Sequence, residues 1–195
     1  MKKQNEENWC QNHLADQQLH ELLEKIDDDF AESARQGGCL HCEGKLHRAD
    51  YERKPRGGPE WDSRDSFCCA VEGCRRRLTP PSVRFLGRKV YVGFIVLLRA
   101  AMLQGLSPQR VLGLRDILPI DPRTLRRWRD WWLETFVRTD FWAGARARFM
   151  PPLCPQTLPW SLCAFFDVQR RDKLLDLLKF LSPITTTSCP IAQGM

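Results

Sequence analysis

The stretch Cys39-Leu40-His41-Cys42, answered by Phe67-Cys68-Cys69-Ala70-Val71-Glu72-Gly73-Cys74-Arg75-Arg76-Arg77, decides the reading of this chain. Cysteines two to four residues apart let one tight turn present two thiolates together, and two such turns complete the tetrahedron that zinc prefers. Cys39 and Cys42 are separated by two residues, with Gly44 following where the turn needs a permissive backbone. Cys69 and Cys74 are separated by four, with Gly73 before the second. Cys68 competes for the third position but stretches that spacing to five, and His41 and His47 are further candidate ligands. The spacing predicts one structural Zn2+ on Cys39, Cys42, Cys69 and Cys74. Four cysteine ligands would fill the coordination shell and leave no position for a substrate water.

The gap between the pairs suits a hairpin. Lys45 to Lys54 alternates loosely as a strand, Pro55-Arg56-Gly57-Gly58-Pro59 is a strong turn signal, and a second strand approaches Phe67 and Cys68. Thr79-Pro80-Pro81-Ser82 excludes helix locally, and Val83-Arg84-Phe85-Leu86 is expected to add a short strand. The result is a predicted zinc ribbon over residues 37–89. A module of this size buries little apolar surface, and structural zinc can contribute roughly 10–16 kcal/mol of apparent binding energy to it.

On either side the pattern turns helical. Residues 8–34 carry Leu14, Leu19, Leu22, Leu23, Ile26 and Phe30 at three- and four-residue steps, with acidic residues between them, until Gly37-Gly38 ends the run. This reads as an amphipathic helix that docks on the rest of the protein or meets a partner. After the ribbon, one helix is expected from Val90 to Gln104, stopped by Gly105. Ser107-Pro108 starts a second toward Leu118, and Asp121-Pro122 repeats the start signal for a third that runs to about Val137. Two helices joined by so short a turn have the layout of a helix-turn-helix. Beyond Asp140, Pro151-Pro152, Pro155 and Pro159 make an irregular connector, Ser161 to Leu181 is expected as one last amphipathic helix, and the tail from Pro183 as loose.

The chain thus reads as mainly α with a small β zinc ribbon, the ribbon followed by a helix-turn-helix and flanking helices. Its parts are an acidic helix over 1–36, the ribbon over 37–89, the helix-turn-helix over 90–138, and connector, C-terminal helix and tail over 139–195. A hydrophobic fraction of 43% can support a core, while a mean hydropathy of −0.43 describes a water-soluble chain. The net charge of +6 hides an asymmetry: the first 35 residues carry −5 and the remainder +11, a footprint suited to a polyanion. The longest apolar run, Val90 to Leu98, is too short to span a bilayer, and no apolar stretch follows Met1-Lys2-Lys3 as in a secretory signal. A cytoplasmic, nucleoid-associated location without a membrane partner is expected. There, cysteines cluster for metal or redox work, and an odd total of nine disfavours a pure disulfide framework. Cys10, Cys154, Cys163 and Cys189 stand alone and read as small buried hydrophobes or free thiols.

On the third helix, Leu125, Trp128, Trp131 and Trp132 fall on one side, and Arg123, Arg126 and Arg127 on the other, joined further along by Asp130 and Glu134. The tryptophans read as core. Recognition helices contact base edges from their N-terminal half, where these arginines and Thr124 lie, and arginine pairs bidentately with guanine or neutralises phosphate. Arg75, Arg76, Arg77 and Arg84, with Arg88 and Lys89, are expected to hold the DNA backbone.

Cys39-x2-Cys42, then Phe67-Cys68-Cys69 with Cys74-Arg75-Arg76-Arg77, then Thr79 to Phe85, resembles the zinc-ribbon head of bacterial insertion-sequence transposases. Gly105-Leu106-Ser107-Pro108 to Thr124-Leu125-Arg126-Arg127-Trp128 fits the helix-turn-helix that follows there. The resemblance covers residues 37–138 and implies binding to the terminal double-stranded DNA of a mobile element. The four-residue second spacing, the acidic N-terminal helix and the missing catalytic part depart from it. After Val137 the only carboxylates are Asp140, Asp167, Asp172 and Asp176, too few and too close in sequence for a two-metal site. A non-enzymatic DNA-binding accessory protein or regulator is therefore expected. The alternatives are a remnant or subunit of a metal-dependent transposase or nuclease, and a zinc-ribbon adaptor that meets a transposase or other protein through the N-terminal helix and the tryptophan-rich surface.

Overall fold

Helix α1, Gln17–Gly37, has one row of residues at every fourth position, Leu19, Leu23, Asp27 and Ala31, and that row is buried. Such a stripe is what a surface helix presents to a core. The helix ends where Gly38 takes a φ of 72°, open to glycine, and donates its amide to the Arg35 carbonyl. Leu22 stays 36% exposed, and Ile26 and Phe30 are only half-buried, so the buried row is narrower than the apolar pattern promised. It also contains a carboxylate. The structure, a computed structural model, describes residues 16–49, 63–85 and 122–186. The expected helix start at residues 8–15 lies outside these, as do both expected helices over 90–118.

Three short antiparallel strands follow in the order β1-β2-β3: β1 Leu46–Arg48, β2 Phe67–Cys69 and β3 Arg77–Leu78. The register pairs Leu46 with Cys69, His47 with Cys68 and Arg48 with Phe67, then Phe67 with Leu78 and Cys68 with Arg77. Alternation sends Leu46, Phe67 and Cys69 inward, where they form a small core with Ala31 of α1 and Cys39, flanked by Cys74 and Leu78.

The third strand is Arg77–Leu78, not the expected Val83–Leu86. Pro80 and Pro81 have no amide to give, so the ladder stops before them. The amides beyond go to side chains instead. Ser82 donates to Thr185 Oγ1 at 2.8 Å, Val83 to Asp27 Oδ1 at 2.7 Å, and Phe85 to Ser82 Oγ at 3.0 Å. Ser82 Oγ itself donates to Asp27 Oδ2. Arg84 was expected to face DNA, and this is corrected: its side chain is buried, with Nε 2.9 Å from Asp27 Oδ2, Nη1 3.7 Å from Glu24, and the guanidinium 5.1 Å from the Phe85 ring centre. Burial raises the Asp27 carboxyl above its ordinary range, opposed by the hydrogen bonds from Ser82, Arg84 and Val83.

The C-terminal segment is built into this same unit, which corrects the expected loose tail up to residue 186. Ser182–Thr185 form a 3-10 turn; the Thr185 carbonyl accepts from Arg64 Nη2 at 2.6 Å, and Thr186 Oγ1 donates to the Thr79 carbonyl at 2.8 Å. Residues 17–49, 63–85 and 178–186 cluster as one compact unit, and residue 16 with 122–177 as another.

The second unit is helical. α2, Pro122–Asp130, begins on the predicted proline and continues as a π turn over Trp131–Thr135 and a 3-10 turn over Phe136–Arg138. α3, Asp140–Ala145, is capped by Thr139, whose hydroxyl accepts from the Trp142 amide at 3.1 Å. Where one helix is expected from Ser161 to Leu181, there are two, α4 Trp160–Phe166 and α5 Arg171–Leu181, residues 178–181 of the latter belonging to the first unit. Asp167 breaks them at a left-handed φ of 50°, and the Val168 amide reaches back to the Cys163 carbonyl, which closes the end of α4. Aromatic rings run through this unit, from Trp132 on Phe136 (4.7 Å between centres) to Trp142 (5.2 Å from Phe136), Phe149 and Phe165. Leu158, Leu162, Leu174 and Leu177 are fully buried as well. No helix among the described residues is long and apolar enough to cross a membrane.

Candidate metal centre

The four cysteines of the spacing argument meet in space. The Sγ atoms of Cys39, Cys42, Cys69 and Cys74 all lie within 4.8 Å of one another, and among the described residues they are the one His, Cys, Asp or Glu group able to hold an ion. Cys39 and Cys74 are 3.7 Å apart and Cys42 and Cys69 3.4 Å apart. A tetrahedron with zinc–sulfur bonds of about 2.3 Å has edges of about 3.8 Å. The donor set and its spacing therefore fit a four-coordinate thiophilic cation.

Each half of the set is held by its backbone. In the first loop the Glu43 amide donates to the Cys39 carbonyl at 2.7 Å and the Cys39 amide to the Gly44 carbonyl at 2.9 Å, which folds Cys39 onto Cys42. In the second, the amides of Cys74 and Arg75 both donate to the Val71 carbonyl. Glu43 and Arg75, each following the second cysteine of its pair, take left-handed φ values of 58° and 45°. This conformation is uncommon for residues with a Cβ, and both loops repeat it at the same place. Gly44 is needed for a different reason. A Cβ there would run into Val71 Cγ2 and meet the sulfurs of Cys42 and Cys69 at 3.3 Å.

Amides also point at the sulfurs. Those of His41 and Cys42 bring the Cys39 thiol down to about 7. The Gly44 amide favours the Cys42 thiolate, but the crowded thiols of Cys69 and Cys74 outweigh it and push Cys42 up to about 12. For Cys69 the Val71 amide, 3.4 Å from the sulfur, is likewise outweighed, by burial and by Cys74 and Cys39. Four sulfurs this close resist joint ionisation, and a bound dication removes that resistance.

Cys68 lies elsewhere. Strand alternation turns it away from Cys69, and its thiol donates to the carbonyls of Cys69 and Arg75 at 3.7 and 3.5 Å. His41 and His47 are exposed and outside the sulfur group. Of the lone cysteines, Cys163 is buried, with its thiol pushed up to about 12 by desolvation, and Cys154 is exposed. Cys10 and Cys189 fall outside the described residues.

The basic residues expected to meet DNA fall in different places. Arg75, Arg76 and Arg77 are exposed beside the metal centre, whereas Arg84 is not. On α2, Arg123, Arg126, Arg127 and Arg129 are exposed, Thr124, Trp128 and Trp131 half-buried, and Trp132 fully buried. Arg88 and Lys89 lie outside the described residues. Sequence reasoning missed Asp27 as the partner of Arg84, although its place in the four-residue row with Leu19, Leu23 and Ala31 was the signal. No family model, curated protein or solved structure matches the chain.

Proposed function

We propose that the chain is a non-enzymatic, zinc-dependent DNA-binding protein, an accessory protein or regulator related to the DNA-binding heads of insertion-sequence transposases. The observation that carries this reading is α2: a helix continued by the turn that buries Trp132, with Arg123, Arg126, Arg127 and Arg129 exposed along its length. Arginines so arranged can reach base edges and phosphates, while Asp130 and Glu134, exposed further along, would sit poorly against phosphate. Zinc would be held by Cys39, Cys42, Cys69 and Cys74 and serve the fold only, its shell filled by sulfur. α1 spends its apolar row inside its own unit, so a protein partner on this helix would meet the acidic outer face. We expect no chemistry on DNA, since Asp172 and Asp176 are tied to Arg170 and Lys173 on the surface of α5.

The test is binding of the purified, zinc-loaded chain to a library of duplex DNA, followed by alanine at Arg123, Arg126 and Arg127. Loss of one base-reading arginine should cost ~1–3 kcal/mol and relax preference at one position. Parental affinity in the triple variant at moderate salt would refute the reading. Cleavage of cognate DNA with magnesium or manganese, tracking the protein through purification, would refute the non-enzymatic part.

A further inference from the structure

Register divides the basic residues around the metal centre in a way that the run Arg75-Arg76-Arg77 does not suggest. His47, Cys68 and Arg77 are directly paired across the three strands. They therefore share the face of the sheet opposite the one formed by Leu46, Phe67 and Cys69. Lys45 belongs to the same outer face one step along, its carbonyl accepting from the Ala70 amide at 2.9 Å. Arg76, opposite Cys69 by virtue of the Cys69 amide to Arg76 carbonyl bond, belongs to the other side, as does Arg48, which pairs with Asp65. The triplet is thus split between two surfaces.

The outer face has three properties that suit one kind of partner. Its flanking strands carry the exposed Lys45, His47 and Arg77, and the accessible part of its centre carries Cys68 and Ala70, with Ser66 buried at the far end. No carboxylate lies among these residues; the nearest acids in sequence, Glu43 and Glu72, belong to the cysteine loops. Paired strands stand about 4.8 Å apart, so basic side chains border a strip of small residues roughly 10 Å across. Long cations beside a low centre let a polyanionic chain approach the sheet and be neutralised from both sides.

We propose that this outer sheet face, Lys45, His47 and Arg77 around Cys68, is a second DNA-backbone contact, separate from α2. It rests on the DNA-binding reading above and adds a sequence-independent part to it. Cys68 is then the floor of the contact, which accounts for a fifth cysteine beside the metal centre that takes no part in it.

The experiment measures duplex affinity of the full, zinc-loaded chain against salt. Lys45→Ala/His47→Ala/Arg77→Ala should reduce the slope of log affinity against log salt by about 1.8, for two lost cations, equally on every sequence tested. Arg35→Ala/Arg48→Ala removes the same number of charges away from this face, at arginines paired with Glu32 and Asp65, and should leave the slope at the parental value. Cys68→Glu, a carboxylate set in the floor, should weaken binding at least tenfold while Cys68→Ser does not. Zinc content equal to the parent's shows that each variant is folded. If the face variant and Cys68→Glu bind as the parent does, while the α2 triple variant loses binding, the DNA reading stands and the sheet face is refuted. If the parent itself binds no duplex, both fall. A slope lost on RNA but kept on DNA would also overturn the proposal, by assigning the face to RNA.

Discussion

The two compact units reach a buried core by different means. In the helical unit the aromatic run from Trp132 through Phe136 and Trp142 to Phe149, with Leu158, Leu162, Leu174 and Leu177, supplies large apolar side chains that need only to be packed. In the cysteine unit the cluster around the strands is Ala31, Cys39, Leu46, Phe67 and Cys69, and only Phe67 is large, while Leu19, Leu23, Val83, Phe85, Leu178 and Leu181 are buried elsewhere in the unit. That unit adds directional bonds to its packing: four thiols clustered within reach of one ion, and a buried carboxylate, Asp27, that gathers Ser82, Val83 and Arg84. Apolar packing tolerates the loss of a contact by partial relaxation, whereas a directional set fails when one member is removed.

The largest effect expected from this contrast is on metal removal. Chelation, or serine at Cys39, Cys42, Cys69 or Cys74, should release zinc and unfold the cysteine loops and strands over 39–49 and 67–78, because roughly 10–16 kcal/mol of apparent binding energy outweighs what the small cluster around the strands contributes. The helical unit should keep its tryptophan environment. Near-ultraviolet circular dichroism together with zinc stoichiometry checks both halves of the statement. Simultaneous loss of the tryptophan signal would mean that the packed unit depends on the metal too.

Next come the buried partners. Asp27→Ala leaves the Arg84 guanidinium buried without its main counter-charge and should destabilise the cysteine unit by about 3–5 kcal/mol. Trp132→Ala should cost the helical unit a similar ~3–5 kcal/mol by creating a cavity. The two differ in how they are rescued. Replacing Asp27 and Arg84 together by apolar residues should recover only the part due to the unpaired guanidinium, since the Val83 amide and Ser82 hydroxyl still lack their acceptor, while Trp132→Phe should recover part of its loss by volume alone. Denaturant melts of the single and double variants decide this, and an Asp27→Ala protein as stable as the parent would mean that the ionic network holds nothing.

A smaller effect is expected at Gly44. Its Cβ would press on Val71 Cγ2 and on two sulfurs, and overpacking typically costs ~1–3 kcal/mol. Val71 is 43% exposed, so Gly44→Ala combined with Val71→Ala should relieve the clash with Val71 Cγ2 and leave only the sulfur contacts. If the double variant is no better than the single one, the strain lies at the metal centre itself.

The sequence announced the cysteine set because two short spacings are a local signal, and the loops that hold it are local as well. It announced α2 because proline at the first turn and opposed arginine and tryptophan sides are readable without tertiary information. It did not announce that Arg84 turns inward. That depends on Asp27, which is far away in sequence and looked like one of several solvated acids of an acidic helix. The third strand was misplaced for a related reason: Val83 to Phe85 has strand composition, but its amides answer Ser82 and Asp27 rather than a neighbouring strand. The break of the last helix at Asp167 has no proline or glycine to mark it, only a left-handed residue that the sequence does not advertise.

The smallest expected effect separates the two neighbouring thiols of β2. Cys69 points into the core, fully buried and 3.4 Å from Cys42, while Cys68 points out and donates only to backbone carbonyls. A serine hydroxyl can make the same donations, so Cys68→Ser should keep one zinc per chain and change stability by less than about 0.5 kcal/mol. Cys69→Ser removes a soft ligand at a buried position and should lose the metal. Measuring zinc by mass spectrometry of the native protein, with a thermal melt of each variant, reads both outcomes at once. Were Cys68→Ser to lose zinc while Cys69→Ser retained it, the pairing of His47 with Cys68 would have to shift by one residue. Such a slip would turn the whole of β2 over and bring Phe67 out of the core. The burial of Phe67 and Cys69 on one side of the strand is what makes the first outcome the expected one.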